Sequence, residues 1–219
     1  MDVCFVFLES SLEVIPEEIS SHPVIKKEER KRGKKASEII LDDSKHHIAM
    51  KSLPNREKRG RPDIVHFCLL SVLDSPISKK AEIYVHTIND EVIKFENFVR
   101  LPRNYNRFVG LMEKLFRDGV IESNGRVLIQ ILDIDFEGLI DKLSGRKFIL
   151  FTEKGRKIMP DMRGSTIFIG AFPHGDFDAG IMEVLMESSI EMVSLGDESY
   201  SSNYVTNKAI CFLEMGWVG

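Results

Sequence analysis

The sequence predicts an α/β fold, with a mainly parallel sheet covered by helices on both faces. Three observations carry this. Short β-branched and aromatic runs recur at residues 3–8, 127–131, 148–151, 167–169 and 192–193. Helix-like patterns separate the later runs, as expected when crossovers return the chain to a parallel sheet. Finally, the run Thr166-Ile-Phe-Ile-Gly170-Ala-Phe-Pro-His-Gly175 and the run Met192-Val-Ser-Leu-Gly196 both end in glycine loops. Ligands of α/β proteins bind in the crevice at the carboxyl ends of strands, where glycine lets bare backbone approach a flat ring. The first loop lacks the Lys-Ser/Thr ending of a phosphate-binding loop and the three-glycine dinucleotide spacing, so it suits a nucleoside without phosphates or an ordinary turn.

Taken in order, residues 3–8 suit a buried first strand. Residues 17–35 hold few apolar side chains beyond Ile19, Val24 and Ile25, which fits a surface helix or an excursion from the core. Residues 44–53 allow a short helix. Pro62 opens a stretch that is apolar nearly all round to Leu73, predicting a largely buried helix that Asp74-Ser-Pro76 stops. Ile83, Val85 and Thr87 alternate, then Val92, Ile93 and Phe95 follow across Asn89-Asp90, predicting an antiparallel hairpin accessory to the main sheet. Phe108, Leu111, Met112 and Leu115 recur at helical spacing over residues 105–116, before Asp118-Gly119. Further helices are predicted over residues 136–142, 178–186 and 203–214. The whole reads as one domain over residues 1–219, with a charged insertion near 17–60 and the hairpin near 81–96.

A chain of 219 residues with 43% hydrophobic content can bury a substantial core. Cys4, Cys68 and Cys211 lie far apart in apolar stretches and read as reduced core thiols. Met1-Asp2 and the short apolar run broken by Glu9 do not make a leader, and no apolar segment approaches ~20 residues, so no membrane contact and a cytoplasmic location are expected. The net charge of −4 hides an asymmetry. Residues 25–61 carry 13 Lys/Arg and 6 Asp/Glu, or +7, which leaves −11 elsewhere. Such a segment suits a polyanion, or else a solvated, mobile loop around residues 26–35.

Arg100, Arg103 and Arg107 stand at spacings of three and four, which would put them on one helical face. Arginine forks suit a phosphodiester backbone, with Tyr105 available to stack on a base; pairing with surface carboxylates is the alternative. Arg59-Gly-Arg61-Pro62-Asp63 begins the buried helix, where Asp63 serves either as a first-turn acid or as a brace that aims Arg61 at a ligand. His46-His47 read as solvated, His66 and His86 as structural, and no metal site is predicted. His174 sits inside the glycine loop.

Gly-Arg-Pro-Asp-Ile-Val-His from Gly60, Asp-Ser-Pro from Asp74, Val-His-Thr from Val85, Arg-Leu-Pro-Arg-Asn-Tyr-Asn-Arg-Phe from Arg100, Gly-Ala-Phe-Pro-His-Gly from Gly170 and Val-Ser-Leu from Val193 occur in this order. Together they resemble the small-subunit ribosomal RNA pseudouridine methyltransferases of archaea and eukaryotes, the Nep/Emg group within the SPOUT methyltransferases. The resemblance runs from about Val3 to the C-terminus. It implies a SPOUT-type sheet, a deep trefoil knot in the C-terminal chain, a homodimer, and S-adenosyl-L-methionine as cofactor. It further implies small-subunit ribosomal RNA as substrate, and ribosomal proteins or assembly factors as partners.

Carried over by position, Gly170, Gly175 and the loop Ser194, Leu195, Gly196, Asp197, Glu198, Ser199 and Tyr200 would border the cofactor. Arg61, Asp63, Arg100, Arg103 and Arg107 would meet the RNA. Many eukaryotic relatives have an Asn-Tyr-Pro-Leu type sequence where this chain has Gly196-Asp-Glu-Ser-Tyr200, so it is the backbone contacts of that loop that carry over. Arg61 and Asp63 are the catalytic candidates: Arg61, braced by Asp63, would stabilise charge developing on the base. Asp63 as a direct general base ranks second. The competing reading is an RNA-binding assembly factor whose essential role is scaffolding.

Overall fold

A computed structural model describes residues 3–215; the expectations for Met1 and Asp2, and the extension of the domain and of the resemblance to residue 219, lie outside the described residues. The first half of the chain runs β1 (Val3–Ser10), α1 (Glu17–Ser20), α2 (Pro23–Arg32), α3 (Asp43–His46), α4 (Pro62–Asp74), β2 (Ala81–Thr87) and β3 (Val92–Phe95). It continues as α5 (Tyr105–Asp118), β4 (Val120–Ser123), β5 (Arg126–Leu132), α6 (Phe136–Lys142), β6 (Phe148–Arg156), β7 (Thr166–Gly170), α7 (Ala179–Glu187), β8 (Glu191–Val193) and α8 (Ser202–Met215). These strands form one sheet in the order β4-β5-β3-β2-β1-β7-β6-β8.

From β2 to β8 every neighbouring pair is parallel, while β2-β3, β3-β5 and β5-β4 are antiparallel. The hairpin is therefore the start of an antiparallel wing, not its end. Residues 127–131, expected among the parallel strands, belong to that wing, and β4 had no counterpart in the prediction. The reason is local: Asn124-Gly125, both at positive φ, turns β4 directly into β5 with no crossover.

Strand β1 is buried along its whole length, and its alternation divides two cores. Phe5 and Phe7 face the side covered by α4, α5 and α8, packing with Val65, Leu69, Phe108 and Ala209. Val6 and Leu8 face the other side, with Phe136, Leu139 and Leu185 from α6 and α7. Helix α5 forms where predicted, with the Asn104 side chain accepting from the Arg107 amide and Gly119 in the left-handed conformation at its end.

Of the two readings for residues 17–35, the surface helix holds, as α2. Ile15, Ile19, Ile25, Ile39, Leu41 and Met50 make a third small core, and residues 26–32 belong to helix α2 rather than to a mobile loop. His46, expected in solvent, is fully buried: its Nδ1 accepts from the Asp42 amide at 3.0 Å and its Nε2 lies 2.5 Å from Glu28. Cys211 departs the other way, exposed on α8, while Cys4 and Cys68 are buried; all three are free thiols. Among the described residues no helix is long and apolar enough to cross a membrane.

Candidate functional site

Strands β7 and β8 end beside a cleft of about 570 Å³. Of the residues assigned to the cofactor, Gly170, Gly175, Ser194, Leu195, Glu198, Ser199 and Tyr200 line it, joined by Arg61 and Asp63 from the start of α4. Gly196 and Asp197 are not among its lining residues. The Ser194 hydroxyl donates to the Gly196 carbonyl at 2.5 Å, and Asp197 pairs outward with Lys157. The last loop thus meets the cleft at both ends and turns away in the middle.

Glycine is required here for different reasons at different positions. Gly175 has φ of +104°, strained for any L side chain, and a Cβ there would press on Lys58 Cε at 3.3 Å. A Cβ on Gly170 would stand 2.9 Å from the Phe172 ring. The most constrained glycine went unnoticed in the sequence: a Cβ on Gly155 would overlap the backbone of Val193. Strand β6 does not stop at Phe151 as expected. It curls onward so that Phe151 and Arg156 both pair with Val193, and the Ser194 amide donates to the Arg156 carbonyl at 2.8 Å. The chain entering the last loop is thereby gripped from two sides.

Behind the first glycine loop lies a buried ion pair that sequence reasoning also missed. Lys58 Nζ donates to Glu9 Oε1 at 2.7 Å, and both side chains are more than nine-tenths buried. Glu9 Oε2 accepts the Asp178 amide at 2.9 Å, just before α7, while the Lys58 ammonium stands 4.9 Å from the centre of the Phe172 ring. One carboxylate therefore ties β1, Lys58 and the far end of the glycine loop together. Its signal was present: an acid at the end of a fully apolar strand must find a partner when buried. A second buried pair, Arg59 with Glu13 at 2.8 and 2.6 Å, fixes the same segment one residue on.

Arg61 and Asp63 form the fork that the brace reading requires. Arg61 Nε and Nη2 donate to the two Asp63 oxygens, each at 2.8 Å, and that hydrogen bonding raises the guanidinium pKa. The Arg61 amide donates to Ser11 Oγ at 2.7 Å, so the loop is anchored to the end of β1. Arg61 keeps about 42% of its side chain exposed and can reach a ligand.

The three distal arginines do not share a helical face. Helix α5 begins at Tyr105, so Arg100 and Arg103 lie in the preceding loop and only Arg107 is helical. All three are exposed, none lines the cleft, and Arg103 pairs with Asp74 at 3.0 Å. The loop is anchored from below by His66, whose ring stacks on Phe108 at 4.1 Å and whose Nε2 bonds the Pro102 carbonyl at 2.7 Å. Burial, against this bond, lowers the His66 pKa. Tyr105 is not free to stack as expected: it is half-buried and its hydroxyl donates to Asp42 at 2.8 Å. His174 is exposed in the cleft wall.

Comparison with known proteins accords with this geometry. The family model described as EMG1/NEP1 methyltransferase matches residues 5–214. A protein of Archaeoglobus fulgidus named ribosomal RNA small subunit methyltransferase Nep1 is 52% identical over 98% of this chain and 96% of its own length. A protein of the same name from Sulfurisphaera tokodaii is 40% identical over 99% of this chain and its full length. The crystal structure of Archaeoglobus fulgidus Nep1 bound to S-adenosylhomocysteine superposes with a TM-score of 0.92 at 49% identity, over the whole of both chains. On sequence and fold together, the chain belongs to the EMG1/NEP1 methyltransferase family.

Proposed function

We propose that this protein transfers a methyl group from S-adenosyl-L-methionine to N1 of a pseudouridine in small-subunit ribosomal RNA, in ribosome biogenesis. The observation that carries the reading is the Arg61–Asp63 fork standing in the same cleft as the two glycine loops. The names of the curated relatives and the ligand of the solved neighbour support it.

The cleft fits the cofactor. Gly170, Gly175, Ser194, Leu195, Glu198, Ser199 and Tyr200 would hold it through bare backbone and apolar surface, with Gly196 and Asp197 supporting the loop from behind. Bound there, the cofactor supplies an electrophilic methyl group on a sulfonium. The chain's own residues then have three tasks. The glycine loops fix the donor side, which places the reacting atoms and removes most of the entropic barrier. Arg61, oriented by Asp63, would stabilise the negative charge left on the base once its ring N–H has given its proton to solvent, and the nitrogen so uncovered would be the acceptor of the methyl group, the cofactor leaving as its sulfide. Arg100, Arg103 and Arg107 hold the RNA backbone from outside the cleft, which requires the target base to be unstacked to enter it.

We infer in addition a single-domain enzyme over residues 1–219, cytoplasmic, acting as a homodimer and meeting ribosomal proteins or assembly factors on its substrate. Phe67, Tyr204, Phe212 and Met215 are exposed on α4 and α8, a patch of the kind that marks subunit contact, and light scattering at the mass of one chain would refute the dimer. The grip of β6 on Val193 and the packing of α8 on α4 and β7 support a knotted C-terminal chain. Mechanical stretching to the full contour length would exclude the knot.

The test of function is transfer of labelled methyl to an RNA hairpin with pseudouridine, against the same hairpin with uridine. Labelling of the first alone is expected; equal labelling sinks the base specificity, and binding without labelling favours scaffolding. Arg103→Glu should weaken RNA binding and lower its salt dependence by about one counterion, with cofactor affinity unchanged.

A further inference from the structure

Helix α2 divides its cations between two uses. Lys26 pairs with Glu29 at 2.8 Å, and Arg32, with Lys34 just beyond, closes on the buried carboxylate of Glu113 at 2.6 Å each. The first pair lies within α2, and the other two hold the segment to α5. Lys27 and Lys31 do the opposite: they are exposed, make no ion pair among the described residues, and stand four residues apart, on one face of the helix. That face borders a groove of about 540 Å³, whose other walls are Lys45 of α3 and Asn106 and Val109 of α5.

The groove also contains Glu28, but its carboxylate is engaged by the His46 ring at 2.5 Å and by Arg32 at 3.7 Å. The remaining field is positive. Lys45 is anchored to Asp42 at 3.2 Å, and the same aspartate accepts the Tyr105 hydroxyl. Tyr105, a neutral phenol, in turn opens α5 beside the groove. Asp42 therefore joins the start of α5, through Tyr105, to Lys45 on the wall of the groove.

We propose that this groove between α2 and α5 is a second RNA subsite, taking the phosphodiester backbone of the segment flanking the target loop. The inference rests on the rRNA reading given above. Lys27 and Lys31 bind successive phosphates as point charges, while Asn106 supplies a neutral donor. Val109 offers an apolar floor for a sugar. None of these groups reads base sequence, so the subsite adds affinity and register and leaves base choice to the Arg61 cleft. It also explains why basic residues are concentrated in a segment of an otherwise acidic chain.

The experiment compares the full chain with its Lys27→Glu/Lys31→Glu variant on two RNAs that share one pseudouridine loop, a minimal hairpin and a version with extended flanks. Lys79→Glu/Lys142→Glu, an equal charge change elsewhere on the surface, is the control. The variant is expected to bind the extended RNA roughly tenfold more weakly near 0.1 M salt and with a salt slope lower by about 2, while binding and methylating the minimal hairpin like the unaltered protein. The control should match the unaltered protein on both RNAs. Unchanged binding of the extended RNA overturns the subsite, as does equal loss on both RNAs or the same loss in the control. If the unaltered protein binds the extended RNA with the lysine-dependent increment but methylates neither RNA, the subsite stands and the enzymatic reading falls.

Discussion

The cofactor side of the cleft and the arginine side beyond it are built on opposite plans. On the cofactor side the glycine loops are braced from behind by charges that are buried and matched, Glu9 with Lys58 and Glu13 with Arg59. On the arginine side Arg100, Arg103 and Arg107 are exposed, with Arg103 about 79% open to solvent even though it touches Asp74. The difference follows from what each must hold. A small flat molecule is met by a rigid surface whose shape is set by close packing. A flexible polyanion is met by long, hydrated side chains that adjust and whose attraction acts over about 10 Å at moderate salt. Arg61 and Asp63 stand where the plans meet, partly exposed and yet locked in a fork.

The sharpest way to break this contrast is at Gly155. Gly155→Val would drive a side chain into the Val193 backbone, which cannot yield as a flexible side chain could. Denaturant unfolding should show a loss of about 3 kcal/mol or more, the upper end of the overpacking range. A stable, active variant would mean that the cofactor wall is softer than described. Arg59→Met comes next. It leaves the Glu13 carboxylate buried with only Asn89, at 3.3 Å, as a side-chain donor, and should cost about 3 kcal/mol. Arg163→Met, which breaks a fully solvated pair with Asp161, should leave the melting temperature unchanged. Equal effects from the two would erase the distinction between buried and exposed charge.

A smaller effect belongs to Lys58→Met. With the Lys58 contacts to Glu9 and to the Phe172 ring lost, and Glu9 held only by the Asp178 amide, the glycine loop should hold the cofactor about tenfold less tightly, a difference near 1.4 kcal/mol, with RNA affinity unchanged. Calorimetric titration of cofactor and RNA separately would show whether the two plans are independent; parallel losses would show that they are not. The mildest expectation concerns pH on both sides of the sheet. Burial lowers the pKa of His86 as well as that of His66, in the case of His86 against the pull of Asp90. The unfolded chain therefore takes up protons first, near the ordinary histidine value of about 6.5. Their contribution is complete above that value and is lost as pH falls from it toward the folded pKa values. The melting temperature should decline between pH 7.5 and 5.5, before the carboxylates titrate, and a flat profile would contradict it.

How much of this was legible can be judged from particular residues. Arg61 and Asp63 are two positions apart, so their fork was accessible to reasoning about one helix start. The glycine loop at Gly170 to Gly175 announced itself by composition. Tyr105 misled because its neighbours in sequence are arginines, while its partner Asp42 is 63 positions away. His46 misled for the same reason: its polar neighbours point to solvent, but helix packing sends its ring inward. Of the antiparallel wing, the β2-β3 hairpin was legible across Asn89-Asp90, while β4 and the setting of β5 escaped because a strand's direction depends on its turn, here Asn124-Gly125.

The sequence by itself determined where most helices and strands lie, that two strands end in glycine loops, and that a guanidinium and a carboxylate share the start of α4; it did not show that β6 stands between those two strands. These depend on periodicity, caps and turn residues that act within a few positions. The tertiary structure alone decided which charges are buried, which glycine cannot be replaced, and which loops share a cleft. Glu9 and Asp178 stand 169 positions apart. Such contacts arise only when the sheet brings distant strand ends together, because burial and charge matching depend on neighbours in space that no local pattern encodes.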